Sequence, residues 1–159
     1  MPPPLSPFKT AVQPDWIDYN GHMNVAFYVL AFDKATDGLL DHLGLGEGYR
    51  RAINCSIYVL EAHVTYDREL KLGETLAIDT QLIDADMKRL HFFHRMTHAA
   101  AGYLVATSEL LALHVDLGGP KAAPMPPTAL VAVDRLLAAH RLLPPPPQLG
   151  RRIAIKRAT

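Results

Sequence analysis

Asp18, Asn20, His22 and Asn24 stand at alternate positions in Asp18-Tyr19-Asn20-Gly21-His22-Met23-Asn24, directly before the first apolar helical pattern of the chain. A carboxylate can take a proton from water or attack a carbonyl, and an imidazole and an amide can orient water and an acyl oxygen. The N–H groups of a helix start, at the positive end of its dipole, suit an oxygen that gains negative charge. These groups together point to acyl transfer. Asn24 has the acceptor that an N-cap needs, and Met23 and Tyr28 are spaced as a hydrophobic staple. Asp, Asn and Gly are also ordinary turn residues, so turn preference alone accounts for Asp18, Asn20 and Gly21, but not for His22.

The elements that must position these groups follow from periodicity. Residues 8–12 read as a strand that Pro14 ends, and residues 25–43 as a helix with Phe27, Leu30, Ala31, Leu39 and Leu40 apolar and Gly44 as its stop. Residues 53–67 alternate as one long strand, with Tyr58, Leu60, Ala62, Val64 and Tyr66 on one face and Ile57, Val59, Glu61, His63 and Thr65 on the other. Strands at 75–83, 88–98 and 103–116, joined by short turns, continue an antiparallel meander, and residues 128–140 form an amphipathic helix. The expectation is an α+β domain over residues 1–159, with a Pro-rich N-terminal tail and a basic C-terminal tail, Arg151 to Arg157. One helix across one sheet leaves edges and apolar surface to cover, so self-association is expected.

Composition narrows the function classes. At 159 residues the chain can bury a core without staples, and 16 basic against 16 acidic residues argue against a general nucleic-acid binder. No apolar run is long enough to span a bilayer, and no signal peptide is visible at the start. Cys55 is the only cysteine and lacks basic neighbours in sequence, so it reads as a buried small hydrophobe in a reducing, cytoplasmic setting. His91, His94 and His98 do not share one strand face, so they read as solvated or interface histidines and no metal site is expected.

The string Pro14-Asp15-Trp16-Ile17-Asp18-Tyr19-Asn20-Gly21-His22-Met23-Asn24-Val25-Ala26-Phe27-Tyr28 resembles the start of hotdog-fold acyl-thioester hydrolases related to 4-hydroxybenzoyl-CoA thioesterase. Its Asp-x-Asn-x-His-x-Asn part is also similar to plant acyl-carrier-protein thioesterases. The resemblance implies the hotdog fold, a long central helix packed on an antiparallel sheet, with a homodimer or dimer of dimers and sites at the subunit interface. It places active-site roles on Asp18, Asn20 and His22, together with a Glu on a following strand, for which Glu69 and Glu61 are the alternatives. Asp18 is then general base or nucleophile, while Asn20 and His22 orient water and carbonyl, with no metal or redox cofactor required.

A narrower likeness, to betainyl-CoA thioesterases of carnitine breakdown, rests on the extended motif, on Lys88-Arg89-Leu90-His91-Phe92-Phe93-His94, and on Leu113-His114-Val115-Asp116. Some of those proteins are fused to carnitine dehydrogenase, and this chain reads as the stand-alone form. Trp16, Tyr19, Tyr28 and Tyr58 are then candidates for an aromatic cage around a quaternary ammonium group, the alternative being ordinary packing. Lys88 and Arg89 are candidates for CoA phosphates or for pairing with Asp84 and Asp86. The rival functions are a fatty or aromatic acyl-CoA thioesterase and a non-catalytic acyl-CoA sensor.

Overall fold

The strand alternation of the middle of the chain builds an antiparallel sheet in the order β1-β3-β4-β5-β2 in the computed structural model, which describes residues 5–158. Its elements are β1 (Phe8–Ala11), α1 (Val25–His42), α2 (Glu47–Ile53), β2 (Cys55–Tyr66), β3 (Thr75–Ala85), β4 (Arg89–His98), β5 (Leu104–Asp116), the short β6 (Lys121–Ala122) and α3 (Pro127–His140), with one 3-10 turn at Pro14–Trp16. The Pro-rich start, residues 1–4, lies outside the described residues. A long helix laid across an antiparallel sheet, with α3 beside it, is the hotdog arrangement expected.

The meander is shorter than the spacing suggests. It comprises β3, β4 and β5 only; β2 pairs with β5 at the far edge, and β3 pairs with β1. The segment 67–74 between β2 and β3 therefore crosses the sheet instead of closing a hairpin. A bulge at Leu60 also breaks the single alternation expected of β2. Ile57, Val59, Ala62, Val64 and Tyr66 face the helices, opposite His114, Ala112, Leu110, Ser108 and Ala106, whereas Tyr58, Glu61, His63 and Thr65 face outward. β3 runs on to Ala85 through a second irregularity between Leu82 and Asp84. Residues 47–53, which show no clear period, form α2.

Asn24 caps α1 by accepting from the Ala26 N–H at 3.0 Å, and Leu45 N–H to Leu40 O with Gly44 at φ 74° closes its far end. The face that α1 buries is Tyr28, Ala31, Phe32, Ala35, Thr36 and Leu39. Leu30, expected in that set, is 38% exposed, because the sheet meets the stripe centred on Phe32. Complete burial of Phe32 and Leu39 contributes about 1.5–3 kcal/mol each. One core cluster joins Met23, Tyr28 and Phe32 to Leu70, Ile78 and Met96; the other joins Leu39 and Leu43 to Phe92, Leu110 and the inner face of α3. Cys55 is half-buried rather than interior.

His94 lies between the clusters, fully buried and stacked on Phe32 with centroids 5.8 Å apart, which corrects its reading as a solvated or interface residue. Thr36 Oγ1 donates to Phe32 O at 3.1 Å, so it accepts from His94 Nε2–H at 2.8 Å, and His94 Nδ1 then accepts from the Thr80 hydroxyl at 2.8 Å. Every polar atom of the ring is satisfied in the neutral state. Burial holds its pKa down at about 3, and the pKa of His140, whose Nδ1 accepts from Leu82 N–H, is also lowered by burial and then by His42.

Because both folded pKa values lie below the unfolded value, near 6.5, the unfolded chain binds more protons in acid and stability falls as pH drops below that value. Between pH 7 and pH 5, His94 alone should remove about 2 kcal/mol, read as a lower urea midpoint. His94→Gln, which keeps a donor and an acceptor without titrating, should flatten this slope; an unchanged slope would assign it to other groups.

Candidate active site

The polar motif folds as a tight turn. Asp18 N–H donates to His22 O, Gly21 N–H donates to Asp18 O, both at 3.0 Å, and Gly21 adopts φ 78°, a region that favours glycine. Asp18 Oδ1 accepts from Asn20 N–H at 2.8 Å, which fixes the half-buried carboxylate; Oδ2 has no hydrogen-bond partner among the described residues. Met23 N–H donates to Leu70 O at 2.9 Å and Asn24 N–H to Trp16 O at 2.8 Å, so the turn is held from both sides.

This attachment sets His22 beside Glu69, with Nε2 3.0 Å from Oε2. Of the two candidate glutamates, Glu69 thus meets the motif. Glu61 stands elsewhere, on the outer face of the sheet, in a concavity with His63, His91 and Glu109. Asn20 is exposed, and its backbone, not its amide, is what engages Asp18.

At the start of α1 the donors are unequally used. The Asn24 side chain takes the Ala26 N–H and the Asn24 carbonyl takes the Phe27 N–H, which leaves the Val25 N–H without an acceptor among the described residues. One unpaired donor at a helix start, one step beyond a motif carrying a fixed carboxylate, is an arrangement that can polarise a carbonyl beside a base or nucleophile.

The aromatic cage is not assembled within one chain. Trp16 stacks on Phe27 at 5.8 Å and 13°, and Tyr28 is buried edge-on against Tyr66 at 5.2 Å. Tyr19 is 98% exposed, and Tyr58, shifted by the Leu60 bulge, points from the opposite face of the edge strand. Burial raises the pKa of Tyr28, with a backbone hydrogen bond from Leu70 opposing it, so the phenol stays neutral.

Arg89 is engaged by Asp86, Nε to Oδ2 at 2.7 Å and Nη2 to Oδ2 at 2.5 Å, which is the pairing alternative for that residue. This hydrogen bond, first among several, holds the Asp86 carboxyl down at about 2. Lys88 is exposed, at the end of the sheet where Arg89 aligns with Leu113 and Tyr58, away from Glu69.

Sequence reasoning missed two cations beside the motif. Arg68 and Lys71 line a polar concavity of about 450 Å³ with Asp67, Glu69, Glu74 and Tyr103, and the Arg68 guanidinium lies 3.7 Å from the Tyr103 ring centroid. Their signal was available, since both lie within two positions of Glu69 in sequence. Among the described residues no group of three or more His, Cys, Asp or Glu is arranged to hold a metal ion, and no helix is long and apolar enough to cross a membrane.

Comparison with known proteins bears on this geometry. Residues 12–133 match the model of the thioesterase-like superfamily. The betainyl-CoA thioesterase of Pseudomonas aeruginosa is 42% identical over 95% of this chain and 95% of that protein. The L-carnitine dehydrogenase/betainyl-CoA thioesterase of Rhizobium meliloti is 37% identical over 97% of this chain, which spans 31% of that longer protein. Among solved structures, a candidate thioesterase from Pseudomonas putida superposes with TM-score 0.85 at 39% identity, covering 98% of this chain and 99% of that one. A Staphylococcus aureus protein solved in complex with CoA superposes with TM-score 0.90 at 28% identity over 96% of each chain.

Proposed function

The chain belongs to the thioesterase-like superfamily and is an acyl-CoA thioester hydrolase; from that premise we propose that its substrate is betainyl-CoA, which it converts to betaine and CoA. The observation that carries this reading is the identity of 42% to a betainyl-CoA thioesterase along nearly the whole of both chains.

A thioester is already an activated acyl donor, so few groups are needed. In this reading Asp18 removes a proton from water as the water oxygen bonds to the acyl carbon, or its own oxygen attacks that carbon and water then releases the acyl group. The Val25 N–H donates to the carbonyl oxygen as charge develops there, the C–S bond breaks, and the thiolate of CoA takes up the proton. His22, held by Glu69, orients water, with Asn20 at the rim. Arg68 and Lys71 lie where phosphates of CoA can be met by charge-assisted hydrogen bonds.

The working form in this reading is a dimer through β2. That strand is an open edge with Tyr58, Val59, Leu60 and Tyr66 each about half exposed, and Val25 and Val29 extend the apolar surface onto α1. Antiparallel pairing of β2 with its copy brings the Tyr58 end of one chain toward the Asp18 end of the other. In this reading Lys88 and other residues at that end of the second copy join Tyr19 around the substrate, and aromatic faces meet the trimethylammonium group by cation–π attraction. The reading places the enzyme in the reducing cytoplasm, consistent with its lone thiol at Cys55.

Thiol release from betainyl-, acetyl-, 4-hydroxybenzoyl- and palmitoyl-CoA tests the substrate. Betainyl-CoA should give the highest kcat/KM; a higher value for the palmitoyl or aromatic ester would overturn the betaine assignment and leave the family intact. Asp18→Asn should lower kcat at least about a hundredfold with the fold unchanged.

A sharper test of the helix start is Val25→Pro. Asn24 already has φ −65° and ψ 145°, which a following proline requires, and proline is well tolerated at the first helical position, so only the donor is lost. The expected fall in kcat is about 10²–10³ with little change in Tm. Near-native turnover would remove this N–H from the mechanism.

A further inference from the structure

The chain beyond α3 does not end against its own sheet. Gln81, Phe93, Glu109 and His63 align as one row across the outer face of β3, β4, β5 and β2. Over that row Gln81 Nε2 donates to Pro144 O at 3.4 Å, Gly150 N–H donates to both Glu109 oxygens at 3.2 and 3.0 Å, and Arg151 borders the concavity with Glu61 and His63 on the edge strand. The segment thus travels from β3 to β2 and reaches the open edge at Arg151. Glu109 is fixed for this task, because its Oε1 is also 3.1 Å from His91 Nε2.

Past that point residues 151–158 form neither helix nor strand and are exposed, and they carry Arg151, Arg152, Lys156 and Arg157 with no acidic residue. Ile153 and Ile155 lie 87% and 80% exposed at alternate positions, so one side of the segment is apolar and unpartnered. We propose that residues 151–158 are an arm that continues across the β2 edge and lies over the outer face of a second copy of this chain. This rests on the β2 dimer described above.

Three features favour a second copy as the occupant. The arm leaves its own sheet at the strand through which the dimer forms, so the contact is continuous with that interface. Its eight residues reach roughly 26 Å when extended, against about 4.8 Å between neighbouring strands, which is enough to cross the adjoining sheet. Its cations meet a face that carries Glu61 at the rim, while Ile153 and Ile155 lose water on contact.

Mixing chains of natural and heavy-isotope composition, letting subunits exchange, and joining Lys156, the only lysine of the arm, to carboxylates with a zero-length carbodiimide tests this directly. Cross-linked peptides containing Lys156 should include the mixed-mass species; only same-mass peptides, or none, would overturn the arm. In parallel, the chain truncated after Gly150 and the double variant Ile153→Asp/Ile155→Asp should exchange subunits at least about tenfold faster than the full chain, with circular dichroism unchanged. Equal exchange rates in a chain that is dimeric would refute the arm alone, whereas a full chain that sediments as a monomer at every concentration would refute the dimer and the arm together.

Discussion

A single buried backbone hydrogen bond, Met23 N–H to Leu70 O at 2.9 Å, couples the entry of α1 to the crossing segment after β2. Both residues are almost completely buried, so leaving either group unpaired would cost about 1–3 kcal/mol. His22 immediately precedes one partner and Glu69 the other, and their 3.0 Å contact is a consequence of that attachment. The same bond holds the turn that presents Asp18 and leaves the first N–H of α1 unpaired. The motif that carries Asp18 and His22 is thus anchored in the core through Met23, Tyr28 and Leu70 and not through surface loops alone.

The fold that supplies this anchor also leaves something open. With α1 and α3 covering one face, β2 remains an unpaired edge of largely apolar side chains, and the exposed aromatic residues Tyr19 and Tyr58 are divided between the motif and that edge. In the proposed reading the Asp18 carboxylate, the His22–Glu69 pair and the helix start all come from one chain, while recognition of the acyl group draws on a second copy.

Much of this was legible in residue order because it is local. The cap at Asn24, the staple of Met23 and Tyr28, the stop at Gly44 and the strands of the meander all depend on neighbours within a few positions. What was not legible is set by distant contacts. The bulge at Leu60, which turns Tyr58 away from Ala62, arises from register against β5; the placement of β2 beside β5 rather than β3 arises from the crossing of residues 67–74. His94 looked polar in sequence and is interior because Thr36 and Thr80, from two other elements, satisfy both ring nitrogens. The choice between Glu61 and Glu69 likewise needed the attachment at Leu70, since both lie within reach of the motif in sequence alone.

The most direct measurement is a crystal structure of the chain with a betainyl-CoA analogue in which the thioester is replaced by a non-hydrolysable thioether ketone. The account predicts the analogue carbonyl oxygen within hydrogen-bond distance of the Val25 N–H and the Asp18 carboxylate facing the carbonyl carbon, directly or through one water. An analogue carbonyl seated instead in the outer-face concavity of Glu61, His91 and Glu109, with Asp18 remote from it, would contradict the central claim.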